Sequence, residues 1–274
     1  RTSDAMAVDN ALRQPAAFVT GLVLIGTALS GGASMVYEVA WTRALTLVIG
    51  SSIYAFSAML TTFLVGLALG SFLFARIWGR RVVAPALFGW LEVAVGFTAL
   101  ALIPAFERMP DLVLAILKRL SLSDGGTLLT QLSRSFLVMI VPTTLIGATF
   151  PCAVQLCAGV LQRLGRDIGL VYSANTLGTI VGALIGGFLL IPWLGAQAAM
   201  MVASAVNAAI GVSILAASAE ARPVWRRAVV VPLLLLFVGG MVILPRWDRR
   251  LMVGGPSVYV PFFASAADPA AAFR

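Results

Sequence analysis

The sequence contains no histidine, only two cysteines and few charged residues. Without histidine, Ser-His-Asp triads, histidine proton shuttles and histidine-based metal sites are excluded. Cys152 and Cys157 are five residues apart, about 140° from each other around a helix, and form neither a Cys-x-x-Cys motif nor a pair on one helical face. We therefore predict no catalytic residue, no metal site and no cofactor in this chain.

Charge is scarce because the chain is dominated by apolar residues. Of its 274 residues 60% are hydrophobic and 11% are charged, and the mean hydropathy is +1.00. Runs of about 20 apolar residues are long enough to cross a hydrocarbon core. The sequence has seven such runs, at roughly 17–39, 52–75, 83–105, 129–157, 169–193, 196–217 and 228–245.

These runs predict an all-α integral membrane protein. A membrane β-barrel would require alternating segments of about ten residues, and an open sheet cannot satisfy its backbone hydrogen bonds in lipid. The formal net charge of +8 comes from arginines in short loops between the runs, where lipid headgroups are their natural counterions. We expect the lipid bilayer as a partner and no nucleic acid.

Arginines also indicate the topology. The second run ends in Arg76, Arg80 and Arg81, and placing these in the cytoplasm makes residues 1–16 a cytoplasmic segment and 17–245 the membrane domain. Seven spans would leave the C-terminus outside. Residue 1 is arginine and residues 1–14 do not have the pattern of a signal peptide, so we expect the chain to begin inside a longer product.

Two stretches suggest shorter elements. The segment 39–50 is too short to span a bilayer by itself and predicts an interfacial or broken piece after the first span. The segment 107–124 has Leu112, Ile116 and Leu120 at helical spacing, which predicts a short helix on the outer surface.

Two glycine motifs predict close helix packing and an internal repeat. Gly66 and Gly70 in the second run are matched by Gly182 and Gly186 in the fifth. In each case a single residue separates the second glycine from a Phe-Leu pair. A Gly-x-x-x-Gly face lets two helices approach closely. Recurrence three spans later favours a 3+3 inverted repeat over a chance match.

The motifs "YEVAWTR" (37–43), "GATFPCAVQL" (147–156) and "YSANTLG" (172–178) together resemble a known family. Residues 20 to 200 are similar to the membrane portion of bacterial fused proteins that join a major-facilitator-like helical domain to a spermidine-synthase-like (polyamine aminopropyltransferase) domain. The loop "ARIWGRR" (75–81) also resembles the basic loop of major facilitators, with Ala75 where an acidic residue is often found.

The resemblance implies a fold like half a major facilitator, in the inner membrane of a bacterium. It also implies a soluble aminopropyltransferase-like domain after the last span, either continuous with this chain or a partner. Residues 246–274 predict the β-like start of such a domain, with Gly254-Gly255-Pro256 as a turn. The nucleoside-binding loop and catalytic aspartate that this chemistry would need are absent from the sequence.

Ionisable residues inside the apolar runs are the candidate functional residues. Glu92 lies near the middle of the third run, where a carboxylate must be paired, protonated or in contact with water. It is a candidate proton or cation site, or a structural partner for an arginine. Arg134, near the outer end of the fourth run, is positioned to pair with Glu92 or to extend to the interface.

Four further residues complete the candidate intramembrane polar site. Glu38 and Arg43 follow the first run and either stabilise the fold or contact a ligand. Tyr172 and Asn175 form part of a polar turn at the start of the fifth run, where Asn175 could hydrogen-bond a neighbouring helix or a polar ligand.

Three functions fit these features. The first is a non-catalytic membrane domain that anchors or supplies an aminopropyltransferase-like domain. The second is a transporter for a small polyamine-like cation, in which Glu92 would act. The third is an accessory subunit of a larger membrane complex.

Overall fold

The computed structural model describes residues 17–49, 52–120, 124–158, 164–218, 223–244 and 247, and the ordered elements within these ranges are helices. The segments 1–16 and 248–274 lie outside the described residues, and so does the predicted β-like tail apart from Trp247. The helices are α1 Ala17–Ile49, α2 Ser52–Trp78, α3 Pro85–Leu120, α4 Asp124–Cys157, α5 Leu164–Ile185, α6 Ile191–Leu194, α7 Ala196–Ala217 and α8 Pro223–Ile243. A π-helical turn, Gly186–Leu190, joins α5 to α6.

Six segments of the described chain are helical, long and apolar enough to cross a membrane. They are Phe18–Thr46, Met59–Trp78, Pro85–Phe106, Met139–Cys157, Leu164–Leu194 and Ala196–Ala217. These six correspond to the first six predicted runs. The seventh run corresponds to α8, whose apolar part Val230–Ile243 is shorter than the six.

The predicted break after the first span is wrong, because α1 continues without interruption to Ile49. The Thr42 and Thr46 hydroxyls donate to the carbonyl oxygens of Glu38 and Thr42, each at 2.8 Å, which satisfies both hydroxyls within the helix. Trp41 and Leu45 are fully buried. Burial of this extension in the core, rather than its length, decides its conformation.

The predicted separate helix at 107–124 is also wrong. The backbone of α3 continues through Glu107 to Leu120 as one helix of 36 residues. The side chains of 107–120 lie outside the described residues. Helical spacing of apolar residues identified the conformation here but not its continuity with the span before it.

Glycines determine how α2 packs on α4. A Cβ atom at Gly66 would overlap the Thr143 side chain, and one at Gly70 would overlap the Thr144 carbonyl oxygen. From the other side, Gly147 of α4 lies against the backbone of Leu67. The two helix backbones therefore touch, as a small-residue face in a membrane permits.

A second pair, α5 on α1, is packed in the same manner. A Cβ atom at Gly178 would overlap the backbone of Ala28, and one at Gly182 would overlap the backbone of Gly32. One turn later, Gly186 lies against Val36. Both Gly-x-x-x-Gly motifs of the sequence thus lie at the closest helix contacts of their spans.

The end of α2 is fixed by a polar side chain from α4. Gln155 donates through Nε2 to the carbonyl oxygens of Arg81, at 2.7 Å, and Trp78, at 3.3 Å. The side chains of Arg76, Arg80 and Arg81 are all exposed at this end of the bundle. This is the charge boundary that the sequence predicted, and the side of the membrane on which it lies stays a prediction.

Candidate functional site

A set of polar side chains is enclosed where α1, α3 and α7 meet. Each of them is at most 5% exposed, and none lies in a loop. They are Ser30 and Tyr37 of α1, Glu92 of α3, and Ser204 and Asn207 of α7. We call them the core polar cluster.

Small residues bring α3 and α7 together around this cluster. A Cβ atom at Gly211 would lie 2.5 Å from the Gly89 carbonyl oxygen, and one at Gly96 would lie 2.8 Å from the Ser204 carbonyl oxygen. Gly89 and Gly96 stand three residues before and four residues after Glu92, on its face of α3. The crossing therefore aims Glu92 directly at α7.

Asn207 of α7 links α1 to α3. Its Nδ2 donates to Glu92 Oε2 at 2.6 Å, and its Oδ1 accepts from the Tyr37 hydroxyl at 3.0 Å. Longer contacts of 3.4 Å join Asn207 Nδ2 to Ser30 and the Tyr37 hydroxyl to Ser204. Both ends of the amide are thus used, and its orientation is fixed by two different partners.

Two buried polar atoms have no hydrogen-bond partner in the described part of the chain: Glu92 Oε1 and Trp41 Nε1. Trp41 stacks on Tyr37 with ring centroids 5.2 Å apart. A buried neutral group without a partner costs about 1–3 kcal/mol. An unpaired carboxylate costs more, about 2.5–3.5 kcal/mol at the centre of a membrane helix on insertion scales.

The cluster lies at the middle of α7. Asn207 is eleven residues after Ala196, the first residue of α7, which places it about 16 Å along a span of 22 residues. Since Glu92 is within hydrogen-bond distance of Asn207, the carboxyl group has nearly the same depth. In a bilayer both groups would lie near the midplane.

Glu38 and Arg43 are not members of the core polar cluster. Glu38 is half-buried and Arg43 is exposed, and no ion pair joins them in the described residues. Five residues on an unbroken helix place two side chains about 140° apart, too far around for a pair. The side chain of Arg134 lies outside the described residues.

Tyr172 and Asn175 lie on α5, apart from the cluster. Tyr172 is exposed, with its ring edge-on to Phe150 at a centroid distance of 6.3 Å. Asn175 faces α1, where a Cβ atom at Gly31 would lie 2.7 Å from its Oδ1. Asn175 is thus a contact between helices, which is one of the two roles that the sequence left open.

Four members of the core polar cluster were missed by the sequence analysis: Ser30, Tyr37, Ser204 and Asn207. A signal was present, because Ser30 and Tyr37 are seven residues apart and Ser204, Asn207 and Gly211 are spaced three and four apart. Each set occupies one helical face. A polar residue in mid-span with small neighbours on its own face marks a buried crossing.

The cluster offers one carboxyl group, one amide and three hydroxyls. Within the described residues no group of three His, Cys, Asp or Glu side chains could hold a metal ion. Both cysteines are free thiols, and Cys152 is buried. The cluster can hold a proton or a cation at Glu92.

This chain is similar to one part of several longer proteins of known name. Polyamine aminopropyltransferase 2 of Streptomyces coelicolor is 30% identical over 198 residues, which cover 71% of this chain and 33% of that protein. Polyamine aminopropyltransferase of Mycobacterium tuberculosis is 29% identical over 201 residues, 70% of this chain and 35% of that protein. The chain thus spans about a third of the length of the curated relatives it matches.

Other comparisons gave no relationship: no family model matches the chain, and no solved structure matches it significantly. Its similarity to the aminopropyltransferases cannot be confined to loops. The helices together include most of the chain, so a match of 198 residues has to include apolar helices. The similarity therefore extends to the helical part of this chain.

Proposed function

We propose that this chain is the membrane domain of a polyamine aminopropyltransferase-like protein, located in a bacterial inner membrane. It anchors or supplies an aminopropyltransferase-like domain and performs no transfer itself. The observation that carries the proposal is the match over 71% of this chain and only a third of the relative. Since the matched part includes apolar helices, transfer chemistry belongs to the part of the relative that this chain does not cover.

The test is purification of the tagged protein from native membranes in mild detergent, followed by an assay of aminopropyl transfer to a polyamine. We expect the activity to co-purify with the tag and to be absent from this chain expressed alone. Intact-mass analysis distinguishes a continuous domain from a separate partner. Purification without any aminopropyltransferase polypeptide or domain would contradict the proposal.

A second candidate function, transport of a small cation, is favoured by the position of Glu92. Transporters built from inverted repeats hold their ligands near the midplane, at the interface of the repeats. Glu92 and Asn207 have that position if α1–α3 and the later spans α4, α5 with α6, and α7 form such a repeat. Two further observations support a repeat of this kind.

The first observation is the pattern of helix packing. In the proposed repeat α1 corresponds to α4, α2 to α5 with α6, and α3 to α7. Under this correspondence, the packing of α2 on α4 is equivalent to the packing of α5 on α1. The contacts of α1 with α7 likewise correspond to those of α4 with α3. The third helices, α3 and α7, pack on each other. A two-fold axis through the α3–α7 crossing would relate all of these contacts.

The second observation is a sequence match at that crossing. Residues 89–96 read GWLEVAVG and residues 204–211 read SAVNAAIG. Each has a small residue first, a polar residue fourth and glycine last. Glu92 and Asn207 occupy equivalent positions and meet on the proposed axis.

Flux of radiolabelled polyamine into proteoliposomes tests the transport function. We expect uptake by the wild-type protein and its loss in Glu92→Gln, while the variant keeps the size-exclusion profile of the wild type. Ser213→Leu, on the exposed side of α7, is the matched control. Equal uptake in wild-type protein, Glu92→Gln and empty liposomes would contradict transport without affecting the anchoring proposal.

A further inference from the structure

We infer that Glu92 is a proton-binding site, with Oε1 as the atom that carries the proton and Asn207 as the residue that positions the carboxyl group. The site lies where α3 and α7 cross. It is assigned from geometry in this chain and does not depend on an aminopropyltransferase domain.

The two carboxyl oxygens of Glu92 differ in their hydrogen bonding. Oε2 accepts a short hydrogen bond of 2.6 Å from Asn207 Nδ2. Oε1 is buried and has no partner in the residues that the structure describes. Because Oε2 already accepts a donor and Oε1 accepts none, Oε1 has the greater acceptor capacity left and is the oxygen to which we assign the proton.

The charge balance around the carboxyl group also favours its protonated form. The ionisable groups that interact with Glu92 in the described chain are Tyr37 of α1 and Cys152 of α4, both of which are neutral or anionic. Neither supplies positive charge, and the facing residue of α7 is the amide Asn207. An ionised Glu92 would thus be a fully buried anion without a cation among its described neighbours, whereas the protonated group is neutral.

Asn207 holds the carboxyl group in this arrangement. Its Nδ2 donates to Oε2 and its Oδ1 accepts from the Tyr37 hydroxyl at 3.0 Å, so both ends of the amide have partners in the observed orientation. The observed orientation keeps Oε2 as the acceptor and leaves Oε1 for the proton. Tyr37 thereby acts on Glu92 through Asn207.

Infrared spectroscopy of the protein in liposomes at neutral pH tests the assignment. The difference spectrum between the wild type and Glu92→Gln should contain the C=O stretch of a protonated carboxylic acid, shifted to lower frequency in D2O. A difference spectrum with only carboxylate bands would overturn the inference. Thermal unfolding of Glu92→Gln confirms that the variant is folded.

Chemical labelling of the wild-type protein with a hydrophobic carbodiimide is a second test of the proton site. A protonated carboxyl group adds across the carbodiimide: its proton moves to one nitrogen, its oxygen bonds to the central carbon, and an O-to-N acyl shift gives a stable N-acylurea. We expect mass spectrometry to find this adduct on Glu92 and Glu92→Gln to lose it. Modification of the half-buried Glu38 with none on Glu92 would count against the proton site.

Discussion

Two apolar spans of this protein occupy opposite environments although their mean hydropathies are nearly equal. In the most apolar stretch of Leu164–Leu194, with a mean hydropathy of 2.0, 11% of the residues are buried. In that of Ala196–Ala217, with a mean hydropathy of 1.9, 56% are buried. Hydropathy therefore identifies both spans and does not distinguish a core helix from a peripheral one.

The difference lies in how many faces of each helix can be approached closely. The α5 helix packs chiefly on α1, along one glycine face, and leaves large residues such as Leu177 and Leu184 exposed. The α7 helix packs on both α1 and α3, and its small residues allow the polar cluster to form. Small residues on two faces, together with a polar residue in mid-span, define the core helix.

The largest expected effect comes from enlarging a glycine at the α7 crossing. In Gly211→Val the new Cβ atom would lie 2.5 Å from the Gly89 carbonyl oxygen and 2.7 Å from Val93 N, so the helices must separate. We expect a loss of about 3 kcal/mol in the free energy of unfolding, measured by SDS titration in mixed micelles. Gly169→Val in α5 has no neighbour within 4 Å and should change the free energy of unfolding by less than about 0.5 kcal/mol. Equal losses would remove the distinction between the two helices.

Truncating an apolar side chain should give the same contrast with a smaller magnitude. Ile214 of α7 is fully buried, whereas Leu177 of α5 is 64% exposed. Ile214→Ala leaves a cavity in the core, and we expect a loss of about 2 kcal/mol in the same titration. Leu177→Ala opens no cavity because lipid can replace the side chain. A larger loss for Leu177→Ala would place α5 in the core.

Removing the central amide tests the polar part of the contrast. In Asn207→Leu the Glu92 carboxyl group loses its donor at 2.6 Å and the Tyr37 hydroxyl loses its acceptor at 3.0 Å. We expect a loss of about 1.5 kcal/mol in the free energy of unfolding. Ser213→Leu on the exposed side of the same helix is the control and should have little effect. Tolerance of Asn207→Leu would show that the cluster does not stabilise the fold.

The smallest expected effect is a partial recovery of the free energy of unfolding in a double variant. Adding Glu92→Leu to Asn207→Leu removes the buried carboxyl group that the first substitution left without a partner. Because leaving one partner of a buried hydrogen bond unsatisfied costs more than replacing both partners by apolar groups, we expect the double variant to regain about 1 kcal/mol. The comparison requires all four proteins of the mutant cycle in the same micelles. Additive losses would mean that the two residues do not interact.

Much of this fold could be predicted from sequence, because long apolar runs leave few alternatives to helices. The first six runs are helices, and the segment 39–50 was misjudged because its length was considered without its burial. Trp41 and Leu45 are buried by other helices, which a single segment cannot reveal. Continuity of α3 beyond residue 106 was also missed.

The candidate site, too, could be predicted from the sequence only in part. Glu92 could be identified because a carboxyl group in an apolar run is conspicuous. Tyr37 and Asn207 are uncharged, and their role depends on the crossing of three helices, which is tertiary information. Charge suggested grouping Glu38 and Arg43 with Glu92, although neither belongs to the core polar cluster.

The most direct test of this account is a through-space correlation between Glu92 Cδ and Asn207 Nδ2 by solid-state NMR of the protein in liposomes. The sequence favours the measurement, because it has three asparagines, Asn10, Asn175 and Asn207, and four glutamates, Glu38, Glu92, Glu107 and Glu220. The account predicts one strong correlation between these atoms, consistent with an N–O distance of 2.6 Å, and its loss in Asn207→Leu. A spectrum in which Glu92 is resolved but shows no correlation to Asn207 would contradict it.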